Sequence, residues 1–236
     1  MTRVIMSASI HEKKEMHNRD MVFTDRIEAG RVLGHMLEPF YTGSNNALVL
    51  AIPSGGVPVG IEMSDILHIP FDVVIVRKIN IPGNTEAGFG ALTLEGDVFI
   101  NKPLFSQLPL KFGELEELVL RVRKELEARN RLFRGDRPFP GLTGKTVILV
   151  DDGLASGYTM VAAINMVKEK GAGKIAVTVP TAPWDTVRLI QPLADEIFCP
   201  NIREGLYFAV AEAYERWYDL GNEEVVRLLH EKWNRG

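Results

Sequence analysis

The sequence predicts an α/β fold in which a mostly parallel sheet is flanked by helices. Mostly apolar runs of strand length recur at residues 47–52, 71–76, 146–150, 174–179 and 196–199, and the first of them is apolar throughout. Segments whose apolar residues follow helical spacing lie between most of these runs. An unbroken apolar strand is typical of a parallel sheet covered on both faces, because neither face of the strand meets water.

The first third of the chain begins with a polar segment. Residues 1–20 show no steady apolar period, which predicts a loosely held extension. Helical spacing starts at Thr24 and is expected to stop near Pro39, since proline interrupts a helix. A second helix is expected over residues 59–68, between the first two strands.

The rest of the chain alternates in the same way. Residues 77–97 are rich in Gly and broken by Pro, so they predict a long loop with room for a short hairpin; loops of this length are usually functional. The other expected elements are an amphipathic helix at 110–135, helices at 158–171 and 183–194, a short strand or edge segment at 207–210 and a closing helix over 221–233.

The composition of the chain disfavours several classes of protein and of binding site. The chain has 236 residues, 46% hydrophobic and 25% charged, which suits one large domain or a domain with an appendage. Cys199 is the sole cysteine, so no internal disulfide can form, and a reducing cytoplasm is expected. A net charge of -4 disfavours a nucleic-acid partner, and no apolar run is long enough for a membrane span. The five scattered histidines disfavour a zinc site.

Residues 147–160, VILVDDGLASGYTM, combine two adjacent acids with a loop of small side chains. Ligands of open α/β sheets bind beyond the carboxyl ends of the strands, where Asp151 and Asp152 fall. The loop leads into a helix, and backbone N–H groups there can bind a phosphate, with the Ser156 and Thr159 hydroxyls as further donors. The acids would repel a phosphate, so they suit sugar hydroxyls or Mg²⁺ instead. A 5′-phosphorylated ribose offers both features; the alternative is that the acids only cap the helix and turn.

This segment resembles the phosphoribosyl pyrophosphate (PRPP) signature of type I phosphoribosyltransferases. Residues 51–60, AIPSGGVPVG, look like the loop that holds pyrophosphate in that family, and VRK at 76–78 resembles its Arg-Lys pair. Residues 79–96 then correspond to the family's flexible catalytic loop. The pattern is most similar to a bacterial and archaeal group with RGGVPVA, VRKIG and VDDGLATG segments. The resemblance implies an N-terminal extension at 1–23, a phosphoribosyltransferase core at 24–200 and a C-terminal hood and helix at 201–236.

The resemblance also implies roles for individual residues. Asp151 and Asp152 would hold the ribose hydroxyls, directly or through water and Mg²⁺, and with Arg77 and Lys78 they form the expected catalytic set. The expected 5′-phosphate cradle is Gly153, Leu154, Ala155, Ser156, Gly157 and Thr159. The expected pyrophosphate site is Ser54, Gly55, Gly56, Arg77 and Lys78.

Two positions depart from that group. Ser156 replaces the usual Thr and keeps a hydroxyl, whereas Ser54 replaces the usual Arg and removes a cation beside the expected pyrophosphate. Another source of positive charge, residues 121–134, is interleaved with Glu125 and Glu127 and predicts a solvated helix face rather than an RNA-binding surface.

The acceptor end of the site rests on a weaker resemblance. Residues 205–220 are similar to a segment of the hypoxanthine-guanine enzymes, which places Phe208 at the position that stacks on the base, with Tyr207 as the neighbouring option and Glu215 at the acid. The alternative is that these aromatics belong to the core of a small edge strand. Glu86 in the expected catalytic loop is a candidate base or substrate contact, although a solvated carboxylate is the simpler interpretation.

These features lead to one expected function and one alternative. The first is Mg²⁺-dependent transfer of phosphoribose from PRPP to a nucleobase-like nitrogen acceptor, favouring a purine, with release of pyrophosphate. A homodimer is expected from the family, and a cytoplasmic location is expected from the single cysteine. The alternative, which the change at Ser54 keeps open, is a regulatory protein that binds PRPP or a nucleotide with little catalysis.

Overall fold

The computed structural model describes residues 7–82, 88–94, 96–109, 112–205 and 207–235. Within these ranges the α-helices are α1 (Arg26–Tyr41), α2 (Gly56–Leu67), α3 (Lys102–Phe105), α4 (Phe112–Arg134), α5 (Tyr158–Glu169), α6 (Trp184–Ile190) and α7 (Asn222–Asn234), and a 3₁₀ helix covers Val210–Ala213. The strands are β1 (Ser9–His11), β2 (Ala47–Ala51), β3 (Phe71–Val73), β4 (Val76–Asn80), β5 (Gly88–Thr93), β6 (Val98–Ile100), β7 (Thr146–Val150), β8 (Lys174–Thr178), β9 (Thr181–Pro183), β10 (Glu196–Phe198) and β11 (Asn201–Arg203).

The central sheet has six parallel strands in the order β1-β10-β8-β7-β2-β3. Neighbouring residues of its strands point to opposite faces. Leu149 therefore packs in one core with α5 and α6, while Ile148 packs in the other with α1, α2 and α7. This arrangement explains the mostly apolar runs and confirms the predicted α/β fold with a mostly parallel sheet.

In the described part of the segment predicted as a long loop, residues 77–80 and 88–93 are strand. β4, β5 and β6 form a separate antiparallel sheet, and α4 covers it with Leu118 and Val122 against Ile79, Phe89 and Leu92. The predicted strand at 71–76 is accordingly divided, because the chain leaves the central sheet after Val73 and enters the smaller one. The hairpin that the prediction allowed for is present as β4 and β5, but it belongs to a three-stranded sheet, because the glycines of β5 lie in a fully buried strand rather than in a turn.

Both ends of the chain differ from the sequence expectation. β1 lies on the edge of the central sheet, with the His11 ring stacked at 4.3 Å from that of Phe198, so the loose attachment predicted for residues 1–20 is wrong in this part. No strand forms at 207–210; the 3₁₀ helix begins there instead. Its Ala213 packs with Phe23 and Tyr214 in a small core of its own, formed from both ends of the chain.

Other helix boundaries shift by a few residues. α1 runs past Pro39 to Tyr41, because a proline in the last turn costs little hydrogen bonding and Tyr41 packs in the core. The two-stranded sheet of β9 and β11 lies beside the central one and is also parallel. Across the described ranges, no helix combines the length and apolarity that crossing a membrane requires.

Candidate functional site

The two loops of the predicted site lie side by side because their strands are neighbours. β2 pairs with β7 so that Ala51 is opposite Val150, and the loops that follow leave the same edge of the sheet. Gly55 lies so close to the second acid that the Cβ of any other residue would be 1.9 Å from Oδ2 of Asp152. The peptide bond between Pro53 and Ser54 is cis. The glycine is therefore required by contact between the loops as well as by any approach to an anion.

The loop between the acids and α5 is shaped by glycine and by contacts with neighbouring segments. Gly157 has a φ of 77°, in the left-handed region, and a Cβ there would lie 2.6 Å from Cγ2 of Thr186. The Thr186 hydroxyl donates to the carbonyl oxygen of Ala155 over 2.5 Å. The N–H of Leu154 donates to the carbonyl of Thr181 over 3.0 Å, which turns the buried leucine away from the loop surface.

The same loop carries several backbone donors that the protein itself does not use. Within the described ranges, the N–H groups of Ala155, Ser156 and Gly157 donate to no protein acceptor. Ala155 and Ser156 are exposed, and Thr159 is half-buried on the first turn of α5. Donors grouped at a helix N-terminus can bind an anion.

One cleft joins three of the four predicted catalytic residues, and Asp152 is not part of its lining. Its volume is about 480 Å³, and its walls include Arg77, Lys78, Asp151 and Thr159. Arg129 of α4 also lines it. The cleft thus brings cations from three positions together with one acid and with Thr159 of the predicted 5′-phosphate cradle.

The surroundings of the two acids disfavour their ionised forms. Burial raises the pKa of Asp151 well above its usual range, and the neighbouring charge of Asp152 raises it further. Burial also raises the pKa of Asp152, although the Arg26 guanidinium opposes that effect. The backbone N–H of Asp152 donates to Oδ1 of Asp151 over 2.9 Å. A cation or hydroxyl donors from a ligand would stabilise the ionised pair.

Asp151 and Asp152 have the ligand chemistry that would be needed to hold a magnesium ion. Among the described residues, no three His, Cys, Asp or Glu side chains group together as a metal site. Mg²⁺ is commonly held by one or two carboxylates, with water and substrate phosphates completing its octahedron. Asp151 and Asp152 would supply one or two carboxylate ligands, and a bound cation would favour the ionised form of Asp151, which burial disfavours.

Arg26 was not predicted as a site residue, yet it is the closest charged partner of Asp152. Its Nε donates to Oδ2 of Asp152 over 2.7 Å, its guanidinium lies 3.9 Å from the Trp217 ring, and Nη1 donates to the carbonyl of Tyr218 over 2.9 Å. Tyr214 donates its hydroxyl to the carbonyl of Asp152 over 2.6 Å. No sequence pattern links these positions, because 126 residues separate the arginine from the acid.

Arg129 is the second site residue that the sequence prediction missed. Its Nη2 donates to Oγ of Ser54 over 3.2 Å, and its guanidinium lies 4.8 Å from the Phe133 ring. The solvated face predicted for residues 121–134 is therefore wrong at this position. A signal was present, because Arg129 is three residues from Leu126 and four from Phe133, both buried, and so shares their helix face.

The residues proposed to hold the base lie apart from this cleft. Tyr207 is 91% exposed, Phe208 is half-buried and Glu215 is exposed, and none of them lines the cleft with Arg129. Glu86 lies outside the described residues. Their roles at the acceptor end stay predictions.

Comparison with known proteins identifies the family. Residues 29–212 match the model of the phosphoribosyl transferase domain. Two Mycobacterium tuberculosis proteins, from strains CDC 1551 and H37Rv, are provisionally named phosphoribosyl transferases and are 34% identical over 208 residues, or 88% of this chain. The chain spans 46% of the length of each. The crystal structure of TT1426 from Thermus thermophilus has a TM-score of 0.73 and 33% identity, covering 89% of this chain and 99% of that one.

The comparisons agree with the resemblance found in the motifs. The matched region contains both loops of the site, from Ser54 to Thr159, and the strands that carry them. The fold is that of type I phosphoribosyltransferases. The chain belongs to the phosphoribosyl transferase family.

Proposed function

We propose that the protein transfers 5-phosphoribose from PRPP to a ring nitrogen of a nucleobase-like acceptor, with a purine favoured, and releases pyrophosphate. The observation that carries this proposal is the single cleft in which Arg77, Lys78 and Arg129 face Asp151 and Thr159. PRPP has matching chemistry, with a charged pyrophosphate on one side of the ribose and a 5′-phosphate on the other.

The reaction breaks the bond between C1 of ribose and a pyrophosphate oxygen and forms a bond from C1 to the acceptor nitrogen. The acceptor loses the proton on that nitrogen, and the pyrophosphate leaves with the bonding electron pair. Charge develops as a cation on the sugar and as added negative charge on the leaving group. Arg77 and Lys78 are suited to stabilise the leaving group, because preorganised cations act where charge develops. Bound Mg²⁺ would supply further charge neutralisation on the pyrophosphate.

The opposite side of the ribose would be held by the acids and the phosphate loop. Asp151 and Asp152 are suited to accept hydrogen bonds from the ribose hydroxyls or to share Mg²⁺ with them. The N–H groups of Ala155, Ser156 and Gly157 have no protein acceptor in the described ranges and are suited to the 5′-phosphate. Holding both ends fixes C1 for attack, which lowers the entropic part of the barrier.

The remaining parts of the proposal come from the family resemblance. We expect Phe208 or Tyr207 to stack on the base, with Glu215 close to its polar edge. We also expect the active protein to be a homodimer that takes part in purine salvage, in the cytoplasm that the single cysteine predicts.

The test is an assay of pyrophosphate release from PRPP in the presence of Mg²⁺ and a panel of purine and pyrimidine bases. Release with at least one base, and its loss when the metal is chelated, is the expected result. The double variant Asp151→Asn with Asp152→Asn is expected to lose PRPP affinity severely, measured by calorimetry. Unchanged affinity would remove the ribose-site assignment. Saturable PRPP binding with no release for any base would favour the regulatory alternative.

A further inference from the structure

We propose that Arg129 provides the cation of the pyrophosphate subsite that Ser54 leaves out. The proposal rests on the proposed function and adds a residue from α4, outside the motifs that carry the family resemblance. The motif resemblance described above implies that an arginine is usual at the position of Ser54. In this chain the two residues are joined by a hydrogen bond, from Nη2 of Arg129 to Oγ of Ser54 over 3.2 Å.

The position of Arg129 matches that role. Its side chain is half-buried and lines the same cleft as Arg77, Lys78 and Asp151. The ring of Phe133, 4.8 Å from the guanidinium, restricts the side chain on one side, and Ser54 holds it on another. A cation that is held before the ligand arrives loses little entropy on binding.

The charge of Arg129 is only partly offset by the protein, through the charge of Glu125, with which it forms no ion pair. Within the described residues it forms no ion pair, whereas Arg77 pairs with Glu125 over 2.7 Å. Burial and, after it, the positive charge of Arg77 lower the pKa of Arg129. Two guanidinium groups that repel each other in a shared cleft are best stabilised by an anion with several charges, and pyrophosphate is such an anion.

The arrangement implies that positions 54 and 129 are exchangeable as sources of charge. In the resembling group the cation would come from the loop after β2, and here it comes from a helix that packs over β4 and β5. The sheet under α4 also carries Arg77 and Lys78, so the helix and the sheet would present their cations to the ligand together.

The first experiment measures two ligands by calorimetry, inorganic pyrophosphate with Mg²⁺ and ribose 5-phosphate. Arg129→Ala is expected to weaken pyrophosphate binding about 10- to 100-fold, the loss typical of one charge-assisted hydrogen bond. Binding of ribose 5-phosphate is expected to stay within about twofold. Arg131→Ala is the matched control, because Arg131 is an exposed arginine on the same helix. Equal weakening of both ligands, or no change in either, would overturn the proposal.

The second experiment moves the charge back to the loop. Ser54→Arg added to Arg129→Ala is expected to recover most of the pyrophosphate affinity, while Arg129→Gln, which preserves the bulk of the side chain, is expected to lose it like the alanine variant. If the double variant has the melting temperature of wild type but Ser54→Arg does not restore pyrophosphate affinity, position 54 cannot replace position 129 as the source of the cation. If wild type binds pyrophosphate through Arg129 but releases none from PRPP, only the proposed function fails. If turnover and pyrophosphate affinity are both normal in Arg129→Ala, only this inference fails.

Discussion

Arg26 and Asp152 form a nearly buried ion pair, with Nε 2.7 Å from Oδ2 and side chains that are 8% and 14% exposed. Arg26 is also held by the Trp217 ring and by the carbonyl of Tyr218, both in the C-terminal region. One side chain therefore connects that region to the acid expected to bind ribose. The position of Asp152 depends on how the two ends of the chain pack together.

Arg26→Ala is expected to lower the free energy of unfolding by about 3 kcal/mol, because it leaves Asp152 buried without its partner. The free energy is measured by urea denaturation monitored through tryptophan fluorescence and circular dichroism. PRPP affinity is expected to fall as well, since the carboxylate loses the contact that orients it.

Arg31→Ala is the control for this loss. Arg31 lies on the same helix, and its ion pair with Glu62 is 60% exposed on the arginine side, so its removal should cost less than about 1 kcal/mol. If the two variants lose the same free energy of unfolding, the ion pair of Arg26 with Asp152 contributes no more to stability than an exposed ion pair.

Asp151→Asn is expected to change how stability depends on pH. Burial and the neighbouring Asp152 raise the pKa of Asp151, so in the intermediate pH range the folded state binds more protons than the unfolded state. Stability then falls as pH rises through the folded pKa, by about 1.4 kcal/mol for each unit between the folded and unfolded values. The unliganded Asn variant should therefore gain stability relative to wild type as the pH rises from the ordinary range of an aspartate towards the raised pKa of Asp151.

Thermal and urea unfolding at several pH values checks this difference. Asp136→Asn is the control, because Asp136 is exposed and the substitution removes a charge without relieving burial. If the difference in unfolding free energy between Asp151→Asn and wild type does not vary with pH, the predicted effect of the raised pKa is contradicted. A gain in stability with a loss of PRPP binding would identify Asp151 as a residue retained for function at a cost to the fold.

Gly55→Ala is expected to displace the second acid. The new Cβ would lie 1.9 Å from Oδ2 of Asp152, a distance that no packing tolerates, so one of the two loops must move. We expect at least a tenfold loss of PRPP affinity, roughly the 1.4 kcal/mol of one disturbed contact. Gly141→Ala is the matched control, since a Cβ there meets no atom within 4 Å. Calorimetry with PRPP that finds the two variants alike would show that the loops can separate without consequence.

The parts of the structure that follow from local pattern could be predicted. The apolar run ending at Val150 predicts a strand, and the acids after it predict the edge where ligands bind; neither conclusion depends on distant residues. The smaller sheet could not be predicted in the same way, because the glycines of β5 look like turn residues until α4 covers them.

The missed site residues have a common physical cause. Arg26 contacts an acid 126 positions away, and Arg129 contacts a hydroxyl 75 positions away. Charged residues are usually solvated, and a partner at such a separation leaves no local spacing to detect. The burial of Arg129 is indicated only by its helix face, which it shares with the buried Leu126 and Phe133.

Tyr214→Phe tests whether the second contact to Asp152 acts together with Arg26. The hydroxyl of Tyr214 donates to the carbonyl of Asp152 over 2.6 Å, and the tyrosine is only 3% exposed. Its removal should cost about 1–2 kcal/mol, because the carbonyl loses a buried donor. Tyr218→Phe is the control, since that hydroxyl donates to Glu224 on the surface and its loss should cost less.

The decisive experiment combines Tyr214→Phe with Arg26→Ala. The unfolding free energies of wild type, the two single variants and the double variant then form a thermodynamic cycle. The two groups hold the side chain and the carbonyl of one residue, so their effects should be coupled by at least about 0.5 kcal/mol. Strictly additive losses would mean that Arg26 and Tyr214 stabilise Asp152 independently. A coupling that disappears when PRPP is bound would mean that the ligand takes over the restraint on the acid, as expected if Asp152 holds the ribose.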